Sequence, residues 1–407
     1  MIICRHLKNR LAVIAAICTT AVLLTICGCS FPYAGTQMAV SAMGEDENTF
    51  WEQAADVLGL PVERTEGLNG FIYDQLPEEV QEVYGQLYTG IAERKAVFSI
   101  RAKNQDQIHQ ALTALIDDRP EFFWLSGSAS LSGFEVLGLW RISLDFNLPE
   151  EEIDAAGEVI RQAAQEYLAA LPEGASEYDK VKAAYEYIIF HTDYSHDSVQ
   201  NQNIQSVFID HRSVCAGYAR AFEYLLDQAG VWCGLVEGSI SDTGEGHAWN
   251  IVRIDGSYTF VDPSWGDPTY EENATDAGRL DIIYDFLCMT TDEIQRLRHV
   301  ADEWITLPEC ADRSFDYYMM NGMFYDGWDA GAVSGAIWNA VNEGNTEVFF
   351  KFRDTESYSQ AMAALFPENG DSLIKEPLQQ RMAWDAAASM WYYYSCSDEL
   401  LIIKIYW

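Results

Sequence analysis

Positive charge is what this 407-residue chain has least of: 25 Lys and Arg stand against 63 Asp and Glu, giving a formal net charge of −38 at pH 7. A surface this acidic repels phosphate backbones, which excludes nucleic acid as a partner. Metal signatures are missing too. The nine cysteines contain no zinc-type Cys/Cys or Cys/His spacing, so a structural zinc site is not expected. Acidic stretches such as Gly44-Glu45-Asp46-Glu47-Asn48 do not follow the EF-hand pattern, and neither a metal nor an organic cofactor is implied. The uncharged run Leu11 to Ile26 is shorter than the roughly 20 residues a membrane-spanning helix needs. What is plentiful is apolar and aromatic material, 49% and 13% of residues, which is the composition of a folded protein. The length suggests two or three domains.

Arg5, Lys8 and Arg10 precede the Leu11–Ile26 run, which ends in Ile26-Cys27-Gly28-Cys29, and the whole reads as an export signal over residues 1–28. The ending resembles a bacterial lipobox, in which a small residue precedes a cysteine that is lipidated and becomes the new N-terminus. Here that cysteine is Cys29; Cys27 fits worse because bulky Ile26 would occupy the cleavage position. The alternative is an uncleaved anchor. Either way the expected location is the cell membrane, with the globular part outside the cytoplasm. Losing three basic residues and no acidic ones with the signal takes the charge from −38 to −41.

Residues 29–48 are small and polar with an acidic end, which suits a tether. We expect an N-terminal accessory α/β domain over 49–150, a central domain over 151–290 and a C-terminal accessory α/β domain over 291–407. The flanks share a pattern. Ala96-Val97-Phe98-Ser99-Ile100 followed by a helical stretch from Gln105 to Ile116 is echoed by Val348-Phe349-Phe350-Lys351-Phe352 followed by Glu356 to Leu365. Gln110-Ala111 and Ala114-Leu115 match Gln360-Ala361 and Ala364-Leu365. The central segment opens on an amphipathic helix whose apolar face is Tyr178, Val181, Tyr185, Ile188 and Ile189.

A second helix opens at Ser213-Val214-Cys215-Ala216-Gly217-Tyr218-Ala219, with Tyr218, Phe222, Leu225, Leu226 and Ala229 on its apolar face and Gly230 at its end. Ser213 is a candidate N-cap. Cys215 falls in the first turn, where the positive end of the helix dipole favours a negatively charged sulfur. Downstream, Gly246–Ile254 and Ser257–Asp262 are β-rich runs separated by Asp255-Gly256, a two-residue hairpin signal. If Ile254 faces Ser257, counting down the ladder sets Trp249 opposite Asp262 and His247 opposite Ser264. His247 and Asp262 then share a face as diagonal neighbours, whereas a one-residue slip would separate them. A thiol at a helix start, an imidazole to exchange its proton and a carboxylate to orient the imidazole are the components of nucleophilic catalysis. The bland alternative is a buried cysteine, a strand-end histidine and a turn aspartate before Pro263.

Val214-Cys215-Ala216-Gly217-Tyr218-Ala219, Gly246-His247-Ala248-Trp249-Asn250 and Val261-Asp262-Pro263-Ser264-Trp265 resemble, in order and spacing, the three motifs of bacterial transglutaminase-like domains. The resemblance covers about residues 175–285. It implies an α+β, papain-like core with the cysteine helix packed on an antiparallel sheet, and Cys215, His247 and Asp262 as the catalytic triad. It also implies a thioester formed from a glutamine side chain or a peptide bond and passed to an amine or to water.

The backbone N–H of Cys215 is the expected oxyanion donor. Tyr194, upstream of the cysteine, is a second candidate, although an ordinary packed tyrosine is the better reading of it. Trp249 and Trp265 flank the site, either as a cleft lining or as core. His191, His196 and His211 with Asp193 and Asp197 show no characteristic ligand spacing, so no metal is assigned. The pairing of Cys233, Cys288, Cys310 and Cys396 is not legible from their spacing. The expected partner is a protein or peptide substrate, together with the membrane through an N-terminal lipid. The competing reading is a non-catalytic surface binding or scaffold module on the same fold.

Overall fold

A computed structural model describes residues 20–22, 67–135, 138–268, 281–300, 305–369, 371–384 and 391–407. Cys29, Cys27 and the tether over 29–48 lie outside the described residues, as does all of the export signal except Thr20–Val22. The chain is a mixed α+β protein divided into two compact units. One comprises residues 1–166, 197–224 and 303–306; the other comprises 167–196, 225–302 and 307–407. Among the described residues, no helix is long and apolar enough to cross a membrane.

The first unit contains β1 (Thr20–Val22), α1 (Glu78–Ala92), β2 (Val97–Arg101), α2 (Gln105–Asp118), β3 (Leu125–Phe134) and β4 (Leu139–Phe146). Its strands form an antiparallel sheet in the order β1-β3-β4-β2. The helix α3 (Glu150–Ala170) begins in this unit and ends in the other. The short α5 (Ile204–Phe208) and the strand β6 (Arg212–Ser213) precede α6 (Cys215–Gln228), which likewise begins in the first unit.

The second unit holds α4 (Glu177–His191), β5 (Asp193–Tyr194), β7 (Cys233–Ile240), β8 (Gly246–Ile254), β9 (Ser257–Val261), α7 (Pro263–Gly266), β10 (Leu287–Met289), α8 (Thr291–Leu297) and β11 (Arg298–Val300). Strands β10-β9-β8-β7-β11 form one antiparallel sheet. The apolar face read for α4 is buried at all five positions. Ser176 and Asp179 close its N-terminus as a capping box, each side chain satisfying the other residue's backbone N–H.

The remainder of that unit is α9 (Tyr317–Met320), β12 (Phe324–Tyr325), α10 (Ala330–Glu343), β13 (Glu347–Phe352), α11 (Thr355–Leu365), α12 (Lys375–Trp384), β14 (Tyr393–Ser397) and β15 (Ile402–Tyr406), with its sheet ordered β12-β13-β15-β14.

The recurrence seen in the flanking sequences extends well beyond four residues. The first copy runs helix, strand, helix, strand, strand; the second keeps that order with one more helix, α12, ahead of its last two strands, and in both the last strand lies between the other two. Arg94 and Gly344, 250 positions apart, end α1 and α10 in the left-handed region. Lys95 N–H donates to Gly90 O, as Asn345 N–H does to Ala340 O. Asn104 and Asp354 cap α2 and α11 through the backbone N–H three residues on. Val83, Leu87, Ile91, Ile100, Ala111 and Leu115 are buried, and so are their counterparts Val333, Ile337, Val341, Phe350, Ala361 and Leu365. A shared set of caps and core positions at one offset is what two copies of one module produce.

Candidate active site

The site residues are carried by local structure that the sequence largely specifies. Asp255 and Gly256 both adopt positive φ, +49° and +88°, the conformation a tight two-residue hairpin demands and glycine accepts without strain. The register that follows is Ile254↔Ser257 through Asn250↔Val261, the ladder expected from the sequence. Asp262 comes next. Its backbone N–H donates to Phe286 O, and it is the N-cap of α7, with Pro263 at the first helical position, where its missing N–H costs nothing.

His247 Nε2 lies 2.7 Å from Asp262 Oδ2, with both side chains buried. A carboxylate only accepts, so this contact sets the N–H on Nε2 and leaves Nδ1 as the basic nitrogen. The other carboxylate oxygen, Oδ1, accepts from Ser264 Oγ at 2.8 Å and from the Trp265 backbone N–H at 3.1 Å. Arg298, the first residue of β11, donates to Oδ2 from Nη2 at 2.8 Å, and its guanidinium sits 3.5 Å above the Trp265 ring centroid. Burial opposes ionisation of Asp262, but the His247 imidazole and the Arg298 guanidinium outweigh it. They hold the carboxyl well below the usual carboxylate range.

Trp249 is fully buried and stacks near-parallel with the His247 ring, centroids 6.1 Å apart. Trp265 is half-buried, tilted against the same ring at 5.7 Å. Both tryptophans therefore wall the imidazole, and Trp249 does so as a core residue. Neither Arg298 nor Ser264 was singled out from the sequence. Ser264 sits inside the third motif and was recoverable there; Arg298 lies 36 residues beyond Asp262 in a run with no motif, and only the fold brings it in.

Cys215 is the first residue of α6 and is half-buried. The expected N-cap differs from the observed arrangement. Val214 is the residue next to the helix, whereas Ser213 ends β6 and turns its hydroxyl away, to Asn201 O and to Ser206 Oγ. Gly217 makes that packing possible, because a Cβ there would lie 1.9 Å from Ser213 Oγ and 2.9 Å from Asn201 O. Further along α6, buried Arg220 donates to Asp117 Oδ1 at 2.6 Å and to Gln202 O at 3.0 Å, fixing the helix within the first unit. Its far end is as read: Gly230 is left-handed and Val231 N–H returns to Leu226 O.

Tyr194 ends β5 in the second unit, half-buried, with its ring edge-on to His196 at 5.8 Å. His191 Nδ1 is 2.7 Å from Tyr187 O, and its ring stacks on that of Tyr187. Among the described residues, no group of three or more His, Cys, Asp or Glu is arranged to hold a metal. Among the described residues, Cys215, Cys233, Cys288, Cys310 and Cys396 form no disulfide.

Comparison with known proteins agrees with this region of the chain. Kyphoscoliosis peptidase of Mus musculus is 29% identical over 140 residues, 30% of this chain and 21% of that protein. The Homo sapiens protein of that name is 28% identical over 142 residues, 31% and 22% respectively. The chain thus spans about a fifth of the length of these relatives. Among solved structures, a TGase is 17% identical with a TM-score of 0.26, covering 38% of this chain and 48% of that one. The periplasmic domain of TgpA from Pseudomonas aeruginosa is 19% identical with a TM-score of 0.20, covering 31% and 55%. Residues 165–263, a span that includes Cys215, His247 and Asp262, match the transglutaminase-like superfamily.

Proposed function

We propose that this protein is an extracytoplasmic thiol acyl-transfer enzyme with Cys215, His247 and Asp262 as its triad, on a papain-like core in which the cysteine helix packs on the antiparallel sheet. The observation that carries the reading is the buried His247–Asp262 pair, built from two motifs that share a family span with a cysteine at a helix start. An imidazole oriented by an anionic carboxylate is what a thiol nucleophile requires.

In this mechanism Cys215 Sγ, its proton taken by His247, attacks an amide carbonyl. The C–N bond breaks and the amine leaves with the proton returned by His247, giving a thioester. Water or a second amine then attacks, its proton passing to His247, and the C–S bond breaks to regenerate the thiol. The Cys215 backbone N–H, at the N-terminal donor end of α6, and Tyr194 are the candidate oxyanion donors. Trp249 and Trp265 keep water from the imidazole. The substrate class is protein or peptide amide, and hydrolysis is the favoured outcome because the sequence carries no calcium-loop pattern of the kind animal transglutaminases use. The word peptidase in the names of the mouse and human relatives points the same way. Residues 1–28 are read as a signal and Cys29 as the lipidated residue that holds the enzyme to the cell membrane.

Iodoacetamide labelling across pH, with mass mapping, tests the reading on the protein from Ser30 onward beside Cys215→Ala and His247→Ala. Fast labelling of Cys215 well below pH 8, slowed by His247→Ala, is the expected result. Labelling no faster than a simple thiol would favour the non-catalytic binding module.

A further inference from the structure

Arg298 is a buried cation that the triad itself does not call for. Its side chain and that of Asp262 are both fully buried, and its Nη2 reaches the same carboxylate oxygen that His247 Nε2 occupies, at 2.8 Å and 2.7 Å. Nη1 donates to Leu297 O at 3.1 Å, and the guanidinium face covers Trp265, which itself leans on the His247 ring. Bringing β11 this close depends on Gly238 of β7. A Cβ there would lie 2.1 Å from His299 O and 2.6 Å from Trp249 Cη2. Strand β11 pairs with β7 through Arg298↔Ile240, His299↔Ser239 and Val300↔Gly238, and Gly238 in turn pairs with His247.

We propose that Arg298 is a positioning residue of this site: its guanidinium clamps Asp262 and sets, through that shared carboxylate, how strongly His247 holds its proton. The physical reason is charge balance in a dry environment. An isolated buried carboxylate would attract the imidazolium proton strongly and leave His247 a poor acid. With a guanidinium on the same oxygen, part of that attraction is cancelled, so His247 can return a proton to a leaving amine. The clamp also removes the freedom of Asp262 to rotate away, since Oδ1 is held by Ser264 and the Trp265 N–H while Oδ2 is held by Arg298.

Other titratable groups, among the described residues, lie on the elements about the pair. Tyr185 of α4 is buried near Asp262 and donates to Ile283 O at 2.6 Å, and its phenol is pushed well up by burial and by the Asp262 charge. Glu237 flanks Gly238 on β7, Glu245 precedes β8 and exposed His299 follows Arg298 on β11.

The inference rests on the proposed triad for its catalytic meaning, but its central measurement does not. In the full chain carrying Cys215→Ala, which removes the thiol as a titrating partner, the seven histidines are followed by carbon-labelled NMR across pH. His247 is assigned with His247→Gln and His299 with His299→Gln. Arg298→Gln is expected to raise the His247 midpoint by about one pH unit. Arg298→Lys, which keeps the charge, is expected to leave it within a few tenths. An unmoved midpoint in Arg298→Gln overturns the proposal, and so does an upward move in Arg298→Lys, which stands as a test even if Arg298→Gln gives no folded protein. Iodoacetamide labelling of Cys215 in the chain with the thiol intact separates the two ideas. An ordinary thiol with a shifted His247 midpoint sinks the triad and leaves Arg298 in its role; an activated thiol with an unmoved midpoint does the reverse.

Discussion

His247 donates from Nε2 to Asp262 Oδ2 across 2.7 Å, although the two residues belong to different strand ends joined by a hairpin. Their meeting is a matter of register. The tight turn at Asp255-Gly256 aligns Asn250 with Val261, which leaves His247 and Asp262 on one face, one diagonal step apart. A glycine inserted between Asp255 and Gly256 lengthens the turn and frees the register. We expect loss of the His247 effect on Cys215 labelling with retention of cooperative unfolding, measured by labelling rate and by thermal melting.

Replacing Asp262 with Asn removes the anion that orients the imidazole. It also leaves Arg298 without a counter-charge in a fully buried place. Activity toward a peptide substrate is expected to fall by on the order of 10³-fold or more, with a stability loss of about 3–5 kcal/mol. Urea unfolding beside steady-state kinetics reads both, and unchanged activity in a folded Asn variant would remove Asp262 from the mechanism.

Two motif glycines should respond in opposite ways to an added methyl group. Gly217 has no room, with Ser213 Oγ at 1.9 Å from the position of a Cβ, whereas Gly246 has nothing within 4 Å. Gly217→Ala is therefore expected to destabilise the protein by about 1–3 kcal/mol through overpacking, and Gly246→Ala to stay within about 0.5 kcal/mol of the parent. Melting temperatures of the two variants decide it.

Acid sensitivity should trace in part to Glu293, which lies buried against Lys351 at 2.9 Å and Arg313 at 2.7 Å and caps the Thr290 end of α8. Burial opposes its ionisation, but Lys351 and Arg313 outweigh that and hold its carboxyl at about 2, against an ordinary 4.5. A folded pKa below the unfolded one means stability that is present above about 4.5 and is lost as pH falls through about 2. Between pH 5 and pH 2 the parent should lose on the order of 3 kcal/mol more than Glu293→Gln. Parallel pH profiles of the two proteins would contradict this.

The free thiols should also separate by reactivity. Cys288 and Cys310 are buried, and burial pushes Cys310 up to about 12 and Cys288 higher still. At pH 8 neither is expected to take iodoacetamide in the folded protein, and both should label once it is unfolded in urea. Early labelling of either in the native state would contradict their burial.

How much of this was legible beforehand depended on the range over which the causes act. The apolar face of α4, the left-handed end of α6 at Gly230 and the hairpin ladder are set by neighbours within a few residues, through periodicity, caps and turn chemistry. They appear where the sequence put them. Even the His247–Asp262 pairing follows from a two-residue turn and a period of two. In the sequence the flanking recurrence shows as a strand-then-helix order and as Gln110-Ala111 and Ala114-Leu115 against Gln360-Ala361 and Ala364-Leu365. The caps and core positions that complete it keep their role, while several of their residue types differ, as at Asn104 and Asp354 or Ile100 and Phe350.

Ser213 shows where local reasoning fails. A serine two residues before a helix is a plausible cap on its own, but buried partners at Asn201 and Ser206 claim its hydroxyl first. Arg298 marks the other limit. By itself the sequence determined the motifs, the helix of Cys215 and the register that pairs His247 with Asp262. Only the tertiary structure brought a cation from 36 residues downstream onto the same carboxylate oxygen, because burial energy, and not any short-range pattern, decides which distant strand closes over a charged pair.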